Sequence, residues 1–330
     1  MSSQLAPVTL EDLQAPLKPR LAAVRDELRR IIEADFGLIT EVNGHLMQMQ
    51  GKLFRPTLVL LVDEAVGGPT PRAVTLAAIV ELIHLATLVH DDSVDHSVLR
   101  RGMPTINSLF SHQISVIMGD YLYSRAVSEL VALDDLEPLR VLGRVTNEMT
   151  IGEMRQLLAH DDPRRFSEDQ YDLLIRSKTA SLLSGACEVG ALGAPPAERT
   201  ALARFGDALG MAFQIVDDML DYTESEAVTG KPSGLDLREH KVTLPLIAAL
   251  PRMPERGRRA VEQLMRTPQP ADDQIAAVVA AVTEAGGLEY ARDRALQLAQ
   301  QAEAALDQVR PSPAREALRN SVSYVLDRRR

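Results

Sequence analysis

The chain has 330 residues, of which 45% are hydrophobic and 25% charged, a composition typical of soluble globular proteins. Its formal net charge of −10 argues against nucleic acid as a partner, and any anionic ligand must be held by local cations or by metal. The single cysteine, Cys187, excludes a disulfide within the chain and is expected to be a buried structural thiol.

Abundant Ala, Leu, Glu and Arg, with only 4% aromatic residues, predict an all-α fold. No convincing linker rich in Gly, Ser or Pro divides the sequence, so a single domain is predicted over residues 1–330. The N-terminus lacks the pattern of a signal peptide, and no apolar run approaches the roughly 20 residues of a membrane span. We therefore expect a cytoplasmic protein without a transmembrane segment.

The predicted helices follow one another almost without interruption, and Pro, Gly or capping residues mark their ends. In chain order they cover Pro19–Glu33, Leu38–Met49, a helix with Pro56 in its first turn, a helix of about 25 residues that begins at Pro71, Gln113–Leu133, Pro138–Ala159, Ser167–Leu192, Pro196–Tyr222, Glu255–Met265, Asp273–Ala285, Leu288–Gln308 and Pro313–Arg328. Ser167 and Gln170 form a predicted capping box. Thr223–His240 is predicted to be a loop near the functional site, and Arg328–Arg330 a frayed, solvated end.

A stretch that reads LVHDDSVDHSVLRRG contains three aspartates, Asp91, Asp92 and Asp95, at positions i, i+1 and i+4. On a helix the first and the last lie on one face, about a turn apart, so their oxygens can share one cation. Carboxylates without cysteine favour a hard ion such as magnesium, manganese or calcium. Because Arg100 and Arg101 follow directly, the pattern suggests a metal-bound diphosphate.

The same spacing recurs in FQIVDDMLDY at Asp217, Asp218 and Asp221. One such cluster is weak support for a metal site, because acidic runs usually form solvated helix faces. The second cluster lies among apolar residues, where a solvated face is harder to sustain. Both clusters are predicted at the C-terminal ends of helices, where the interaction of each carboxylate with the helix dipole is unfavourable by about 0.3–1 kcal/mol. Bound cations would offset this cost.

Eight motifs occur in a fixed order over nearly the full chain. They are GKLFRP, ELIHLATLVHDDSVD, RRG, GDYLYSRA, GEMRQL, KTASL, FQIVDDMLD and GKPSGLDLREHKVTLP. In these motifs and their order the chain resembles the trans-isoprenyl diphosphate synthases, also called polyprenyl synthetases, and most resembles long-chain, octaprenyl-type members. The resemblance implies an isoprenoid-synthase-type helical bundle around a central diphosphate and metal cavity, in a protein that is usually a homodimer.

The resemblance also implies the reaction. A prenyltransferase of this family condenses isopentenyl diphosphate with an allylic diphosphate, here farnesyl or geranylgeranyl diphosphate, into an all-trans polyprenyl diphosphate. The expected cofactor is Mg2+, as two to three ions, with Mn2+ as a possible substitute. Its expected ligands are Asp91, Asp92, Asp95, Asp217 and Asp221, and the expected catalytic residues are these five together with Asp218 and Lys178.

The substrate contacts are likewise implied by matching motif positions. Isopentenyl diphosphate is expected at Lys52, Arg55, His84 and Arg101, and the allylic diphosphate at Arg100, Lys178, Thr179, Gln214, Lys231 and Lys241. Without the resemblance, these lysines would be interpreted as snorkelling side chains and His84 as a half-buried, hydrogen-bonded residue. Glu153 and Gln156 also match family positions, without a role that can be read from the sequence. The remaining histidines considered, His90, His96, His112 and His160, are expected to be structural.

One position departs from the family pattern. Many relatives carry Gly before the lysine that matches Lys241, whereas this chain has His240. Because Gly permits backbone angles that His adopts poorly, the turn at this position is expected to differ.

Product length is expected to depend on Ala86 and Thr87, which precede the first aspartate cluster and project toward the path of the growing chain. Short-chain relatives commonly carry a bulky aromatic residue in this region, and neither residue is bulky. The segment therefore favours a medium or long product, and Ala86→Phe is expected to shorten it. Val127 stands where several long-chain members carry Phe, which leaves a geranylgeranyl diphosphate synthase as the alternative. A terpene cyclase and a noncatalytic partner subunit are the remaining alternatives.

Overall fold

The computed structural model describes residues 8–49, 51–100, 102–158, 166–223 and 234–328. Helices account for nearly all of the regular structure in this part of the chain, which confirms the all-α prediction. Their bounds are α1 Leu10–Gln14, α2 Lys18–Ile32, α3 Gly37–Gln48, α4 Phe54–Ala65, α5 Pro71–Val94, α6 Ile106–Leu109, α7 His112–Ala132, α8 Leu136–Leu158, α9 Glu168–Ile175, α10 Ser181–Gly190, α11 Pro196–Thr223, α12 Leu235–Arg238, α13 Leu244–Ala249, α14 Glu255–Arg266, α15 Asp272–Glu284, α16 Gly287–Leu306 and α17 Pro313–Leu326.

A short hairpin interrupts the helices after α5. Its strands, β1 Leu99–Arg100 and β2 Met103–Pro104, pair antiparallel, with Arg100 opposite Met103. Gly102 lies in the turn at φ +76°, a left-handed conformation that glycine adopts without steric cost. The hairpin therefore fixes Arg100 directly after the first aspartate cluster.

The described residues form two compact units, each assembled from three segments of the chain. The first contains the residues up to Thr146 together with Leu182–Ala203 and Ala305–Ser321. The second contains Asn147–Ser181, Arg204–Ala304 and the residues from Val322 onward. A single domain over residues 1–330 stays a prediction.

In the first unit α5 is the central helix. It packs against α2, α4 and α7, and eight consecutive residues, Leu76–Ile83, are all buried, all of them apolar except Glu81. A helix buried on every side carries apolar residues all round instead of on one stripe. By length and composition α5 could therefore cross a membrane, which the sequence analysis did not anticipate, but 67% of its most apolar window is buried inside the protein. This burial identifies it as a core helix.

The second unit has a hydrophobic core of its own, built from the end of α11 and from α12 to α15. Tyr222, Leu246, Val261 and Val278 are among its buried members. Earlier in the chain, α9 is followed by one turn of π-helix, Arg176–Ala180, and then by α10. The sequence predicted an unbroken helix Ser167–Leu192, so the π turn is a difference from the prediction.

Most predicted helices are confirmed, with ends within about two residues of the observed ones, as is usual for helix assignments. The capping box of Ser167 and Gln170 is present in both directions. Within the predicted loop Thr223–His240, however, the short helix α12 forms at Leu235–Arg238. Cys187 is fully buried in α10, and burial raises the pKa of its thiol, which agrees with a structural role.

Candidate active site

In the first unit, two of the predicted cations lie at the N-terminus of α4. Leu53 has φ +53°, and this left-handed residue starts the helix between Lys52 and Arg55. The N-terminal end of a helix carries a partial positive charge, so it adds to the attraction of the two side chains for an anion. The predicted isopentenyl diphosphate residues thus lie where the backbone also favours a phosphate.

Arg55 contacts the third predicted residue of this group. Its Nη1 lies 3.1 Å from Nε2 of His84 on α5. Because a guanidinium can only donate, Nε2 must accept, and the proton of the neutral imidazole then sits on Nδ1. The contact brings together Arg55 and His84, two of the residues expected to bind isopentenyl diphosphate. The fourth member, Arg101, lies outside the described residues.

The face of α5 that carries His84 also carries the first aspartate cluster. His84, Thr87 and Asp91 stand at i, i+3 and i+7, and all three are half-buried. Asp95 caps the C-terminal end of the helix and is exposed. Asp91 and Asp95 are thus the two members of this cluster that retain access to solvent.

Asp92, in contrast, points into the protein. It is 4% exposed, and Nε of Arg100 donates to both of its carboxylate oxygens at 2.8 and 2.9 Å. Burial raises the pKa of this carboxyl in spite of the guanidinium beside it. The geometry indicates that Asp92 orients Arg100, whose remaining N–H groups can donate hydrogen bonds to an anion.

The predicted chain-length residues occupy different environments. Ala86 is 3% exposed, whereas Thr87 on α5 and Val127 on α7 are half-buried. Thr87 lies on the same face as Asp91, and its hydroxyl donates to the carbonyl of His84 at 2.8 Å. Of the residues predicted from α5, Thr87 is therefore the more accessible beside the aspartates.

In the second unit, Asp218 is the buried member of the second cluster. The hydroxyl of Tyr171 donates to Oδ2 at 2.6 Å, and Nε2 of Gln214 donates to Oδ1 at 2.7 Å. The hydroxyl of Thr179 in turn donates to Oε1 of Gln214 at 2.8 Å. Burial, with the nearby charge of Asp236, raises the pKa of Asp218 well above its usual range. Two predicted allylic-diphosphate residues, Thr179 and Gln214, thus belong to a network that holds a buried carboxylate.

Asp221 joins the end of α11 to the segment that follows. Its two oxygens accept the backbone N–H groups of Leu235 and Asp236 at 3.1 and 3.0 Å, and its carbonyl accepts from Gly234 at 2.9 Å. These bonds satisfy N–H groups at the start of α12, which otherwise have no partner within the helix. Asp221 therefore anchors α12 to α11. Burial and the charge of Asp221 raise the pKa of Asp236 to about 7.

The turn after α12 contains the position that departs from the family pattern. His240 has φ +56°, in the left-handed region where glycine is favoured. Its Nε2 lies 2.9 Å from the carbonyl oxygen of Thr267, the residue that follows α14. Directly beyond it, Nζ of Lys241 lies 2.6 Å from a carboxylate oxygen of Glu239.

The π turn contains Lys178 and Thr179, the first two residues of the KTASL motif. Lys178 forms an ion pair with Glu153 of α8, which gives that matched position a partner. A Cβ on Gly152 would lie 2.7 Å from the backbone N of Lys178, and one on Gly210 would lie 2.6 Å from Cα of Ala180. Glycines on α8 and α11 therefore let both helices approach the π turn closely. Such turns are frequent at functional sites.

Asp217 of the second cluster retains solvent access, with 26% of its side chain exposed. Nη2 of Arg328 lies 3.4 Å from its Oδ1, and the guanidinium stacks on the ring of Phe213. Arg328 is only 14% exposed. The prediction of a frayed, solvated end is therefore wrong for Arg328, because both a carboxylate and an aromatic face bind its side chain.

The acidic residues fit a hard divalent ion that is shared with a substrate. Within the described residues no group of three or more His, Cys, Asp or Glu side chains forms a preassembled metal site. Magnesium typically keeps several waters and uses one or two carboxylates together with substrate phosphates, so it needs no such cage. Asp91 and Asp95 in the first unit, and separately Asp217 in the second, have side chains with solvent access and meet this requirement.

Two of the histidines expected to be structural make local contacts. His90 lies 3.3 Å from Asp120, and Nδ1 of His112 lies 2.8 Å from the hydroxyl of Ser93, contacts of a structural kind. Lys231 and His160 lie outside the described residues. Tyr171 was not predicted as a site residue, since nothing near it in the sequence signals its contact with Asp218. Asp236 was not predicted either, although the acid stands inside the last family motif.

Comparison with known proteins gives a consistent result. A family model described as polyprenyl synthetase matches residues 37–282. The all-trans-nonaprenyl-diphosphate synthase (geranyl-diphosphate specific) of Rhodobacter capsulatus is 39% identical over 320 residues, 96% of this chain and 98% of that protein. The octaprenyl diphosphate synthase of Escherichia coli K12 is 36% identical over 317 residues, 94% and 96%. The solved polyprenyl synthase of Caulobacter crescentus CB15, complexed with calcium and isoprenyl diphosphate, superposes with a TM-score of 0.93 at 32% identity, covering 99% of this chain and 100% of that chain.

Proposed function

This chain belongs to the polyprenyl synthetase family. From that premise we infer which of its residues bind metal and which bind substrate in a trans-polyprenyl diphosphate synthase. The enzyme is a prenyltransferase that extends an allylic diphosphate with isopentenyl diphosphate to an all-trans product of medium or long chain. The similar proteins named nonaprenyl and octaprenyl diphosphate synthase support this product class over geranylgeranyl diphosphate.

One structural observation supports the roles of the aspartates. In each cluster the second aspartate is buried in hydrogen bonds, Asp92 to Arg100 and Asp218 to Tyr171, while the first retains access to solvent. We propose Asp91, Asp95 and Asp217 as ligands of divalent metal. Asp92 and Asp221, also predicted as ligands, make contacts that favour a positioning role.

The resident metal we propose is Mg2+, as two to three ions, and calcium in the Caulobacter crescentus complex supports a divalent ion. When bound, such ions would neutralise the negative charge that develops on the leaving diphosphate. On the protein side, Arg100, oriented by Asp92, and Lys178, paired with Glu153, bind the allylic diphosphate oxygens as fixed cations.

The other substrate is bound by Lys52, Arg55 and His84. Lys52 and Arg55 hold isopentenyl diphosphate through its phosphates, and His84 adds a donor if the proton sits on Nδ1 as its contact with Arg55 requires. In the reaction the carbon–oxygen bond of the allylic diphosphate breaks, and the double bond of isopentenyl diphosphate attacks the allylic cation. The proton lost after carbon–carbon bond formation passes to the released diphosphate, so no protein base is needed.

The test is a condensation assay with magnesium, labelled isopentenyl diphosphate and geranyl, farnesyl or geranylgeranyl diphosphate as primer. We expect products of about six or more isoprene units, resolved by chain length. A product that stops at geranylgeranyl diphosphate would contradict the medium or long chain. Cyclisation of an allylic diphosphate alone would indicate a terpene cyclase, and absence of condensation would indicate a noncatalytic partner subunit.

We further propose that the active assembly is a homodimer and that it works in the cytoplasm. Both follow the family expectation, and both are open to direct measurement. Sedimentation of the purified enzyme would give its mass in solution, and a single-chain mass would contradict the homodimer.

A further inference from the structure

Arg328 lies against the second aspartate cluster and contacts two residues of the same helix. Its Nη2 is 3.4 Å from Oδ1 of Asp217, and its Cζ is 4.1 Å from the centre of the Phe213 ring. Phe213 and Asp217 stand one helical turn apart on α11, so one planar guanidinium can stack on the first and reach the second. The contact is therefore built by the fold of the second unit.

The environment of Asp217 explains why a cation is held there. Asp217 lies in the last two turns of α11, where the helix dipole disfavours negative charge, and Asp218, Asp221 and Asp236 add further carboxyl groups nearby. A guanidinium that is mostly withdrawn from water interacts more strongly with both a carboxylate and an aromatic face than an exposed one. Arg328 thus supplies positive charge at the carboxylate that we assign to metal.

We propose that Arg328 is a built-in counter-cation of Asp217 that competes with the divalent ion for this carboxylate. The inference rests on the metal role given to Asp217 in the proposed function. A positive charge close to the carboxylate lowers its affinity for a second cation by direct repulsion, and the guanidinium also occupies one direction of approach to Oδ1. The ion alone therefore binds weakly at the second cluster.

This competition has a consequence for substrate binding. A metal ion that arrives with a diphosphate brings excess negative charge, to which the guanidinium of Arg328 is attracted, as arginine is generally attracted to phosphate. The diphosphate therefore relieves the repulsion that the bare ion meets. Arg328 makes occupation of the second cluster depend on the presence of substrate, and it acts as a specificity-determining residue for the metal–diphosphate pair.

The inference is tested by titrating the full-length protein with Mn2+ in the absence of any diphosphate. Free Mn2+ is followed by electron paramagnetic resonance in the wild type and in Arg328→Gln, Arg328→Lys, Asp217→Asn and the double variant Arg328→Gln/Asp217→Asn. Arg328→Gln is expected to bind Mn2+ about fivefold more tightly at one site, a coupling of the size common between interacting sites. Arg328→Lys, which keeps the charge, is expected to stay close to the wild type.

The double variant separates this inference from the assignment of Asp217. With Asp217→Asn in place, Arg328→Gln should no longer change Mn2+ affinity. If Asp217→Asn weakens Mn2+ binding but Arg328→Gln leaves it unchanged or weaker, the competition is overturned and the metal role of Asp217 stands. If the double variant binds Mn2+ as tightly as Arg328→Gln alone, Asp217 is not the carboxylate that Arg328 shields, so its metal role is contradicted and the inference falls with it. Circular dichroism of each variant verifies that the helical fold is intact.

Discussion

The hydroxyl of Tyr171 donates a hydrogen bond of 2.6 Å to Oδ2 of Asp218, and both side chains are buried. Tyr171→Phe removes this donor and leaves a buried carboxylate oxygen without it. Loss of a partner by a buried acceptor costs about 1–3 kcal/mol, so we expect a fall of that size in the free energy of unfolding. Urea denaturation of the metal-free protein measures it.

Tyr123→Phe is the matched control. The hydroxyl of Tyr123 lies on an exposed side chain and contacts Thr146 at 3.3 Å. Because an exposed hydroxyl can bond to water instead, its removal should change stability by less than about 0.5 kcal/mol. Equal losses in the free energy of unfolding of the two variants would show that the buried Tyr171–Asp218 hydrogen bond stabilises the protein no more than the exposed contact of Tyr123 does.

Asp91→Ala and Asp217→Ala are each expected to reduce turnover by at least about 100-fold, since they remove proposed metal ligands that stabilise charge on the leaving group. The helical content should be unchanged, because both side chains keep access to solvent. Steady-state condensation rates and far-ultraviolet circular dichroism test the two statements together. Asp26→Ala provides the control, because Asp26 is an exposed acid on α2. Near-normal turnover in Asp91→Ala or Asp217→Ala would contradict its assignment to metal.

Gly152 permits the close approach of α8 to the π turn that carries Lys178. In Gly152→Ala the new methyl group would lie 2.7 Å from the backbone N and 2.9 Å from Cα of Lys178, so backbone must move. Overpacking of this kind costs about 1–3 kcal/mol, and displacement of Lys178 should also raise KM for the allylic diphosphate. Thermal unfolding and allylic-substrate kinetics measure the two effects.

The comparison variant is Gly143→Ala on the same helix. A Cβ at Gly143 meets nothing within 4 Å, so the substitution should gain helix propensity, up to about 1 kcal/mol, and leave KM unchanged. If Gly152→Ala were as stable and as active as Gly143→Ala, the close contact with the π turn would not matter.

His240 holds a left-handed conformation where many relatives were expected to carry Gly. His240→Ala and His240→Gly both lose the contact with the carbonyl of Thr267, but only Gly relieves the strain of φ +56°. We therefore expect His240→Gly to be more stable than His240→Ala by about 1 kcal/mol, the usual penalty for a side chain in this region. Chemical denaturation of the two variants side by side measures the difference, and a more stable Ala variant would refute it.

The helices were predictable because apolar spacing and Pro or Gly punctuation are local signals. The same holds for the capping box at Ser167. Asp218 was found as part of a cluster, but its partner Tyr171 lies 47 residues earlier. Only the packing of α9 against α11 brings the two together, and no local pattern announces it.

The contact of Arg328 with Asp217 was hidden for a related reason. A basic run at the edge of a helix is usually solvated, so the local signal pointed away from the observed contact, which joins residues 111 positions apart. The π turn is a further case, because the glycines that pack closely against it, Gly152 and Gly210, belong to α8 and α11 and stand far from it in the sequence. What escaped prediction is thus long-range pairing, the part of a fold that packing decides.

Product length gives the last prediction. Thr87 shares a face of α5 with Asp91 and is half-buried, whereas Ala86 is almost completely buried. Thr87→Phe should place a ring in the path of the growing chain directly beside the aspartates and shorten the product, with little effect on the first condensation. Ala86→Phe should shorten it as well, but at a cost of about 1–3 kcal/mol for overpacking, so the stability of that variant must be measured alongside. Thr87→Val, which keeps the size of the side chain, is the control. Chain-length analysis of the products decides the matter: a length distribution in Thr87→Phe equal to that of Thr87→Val would remove Thr87 from the path of the chain.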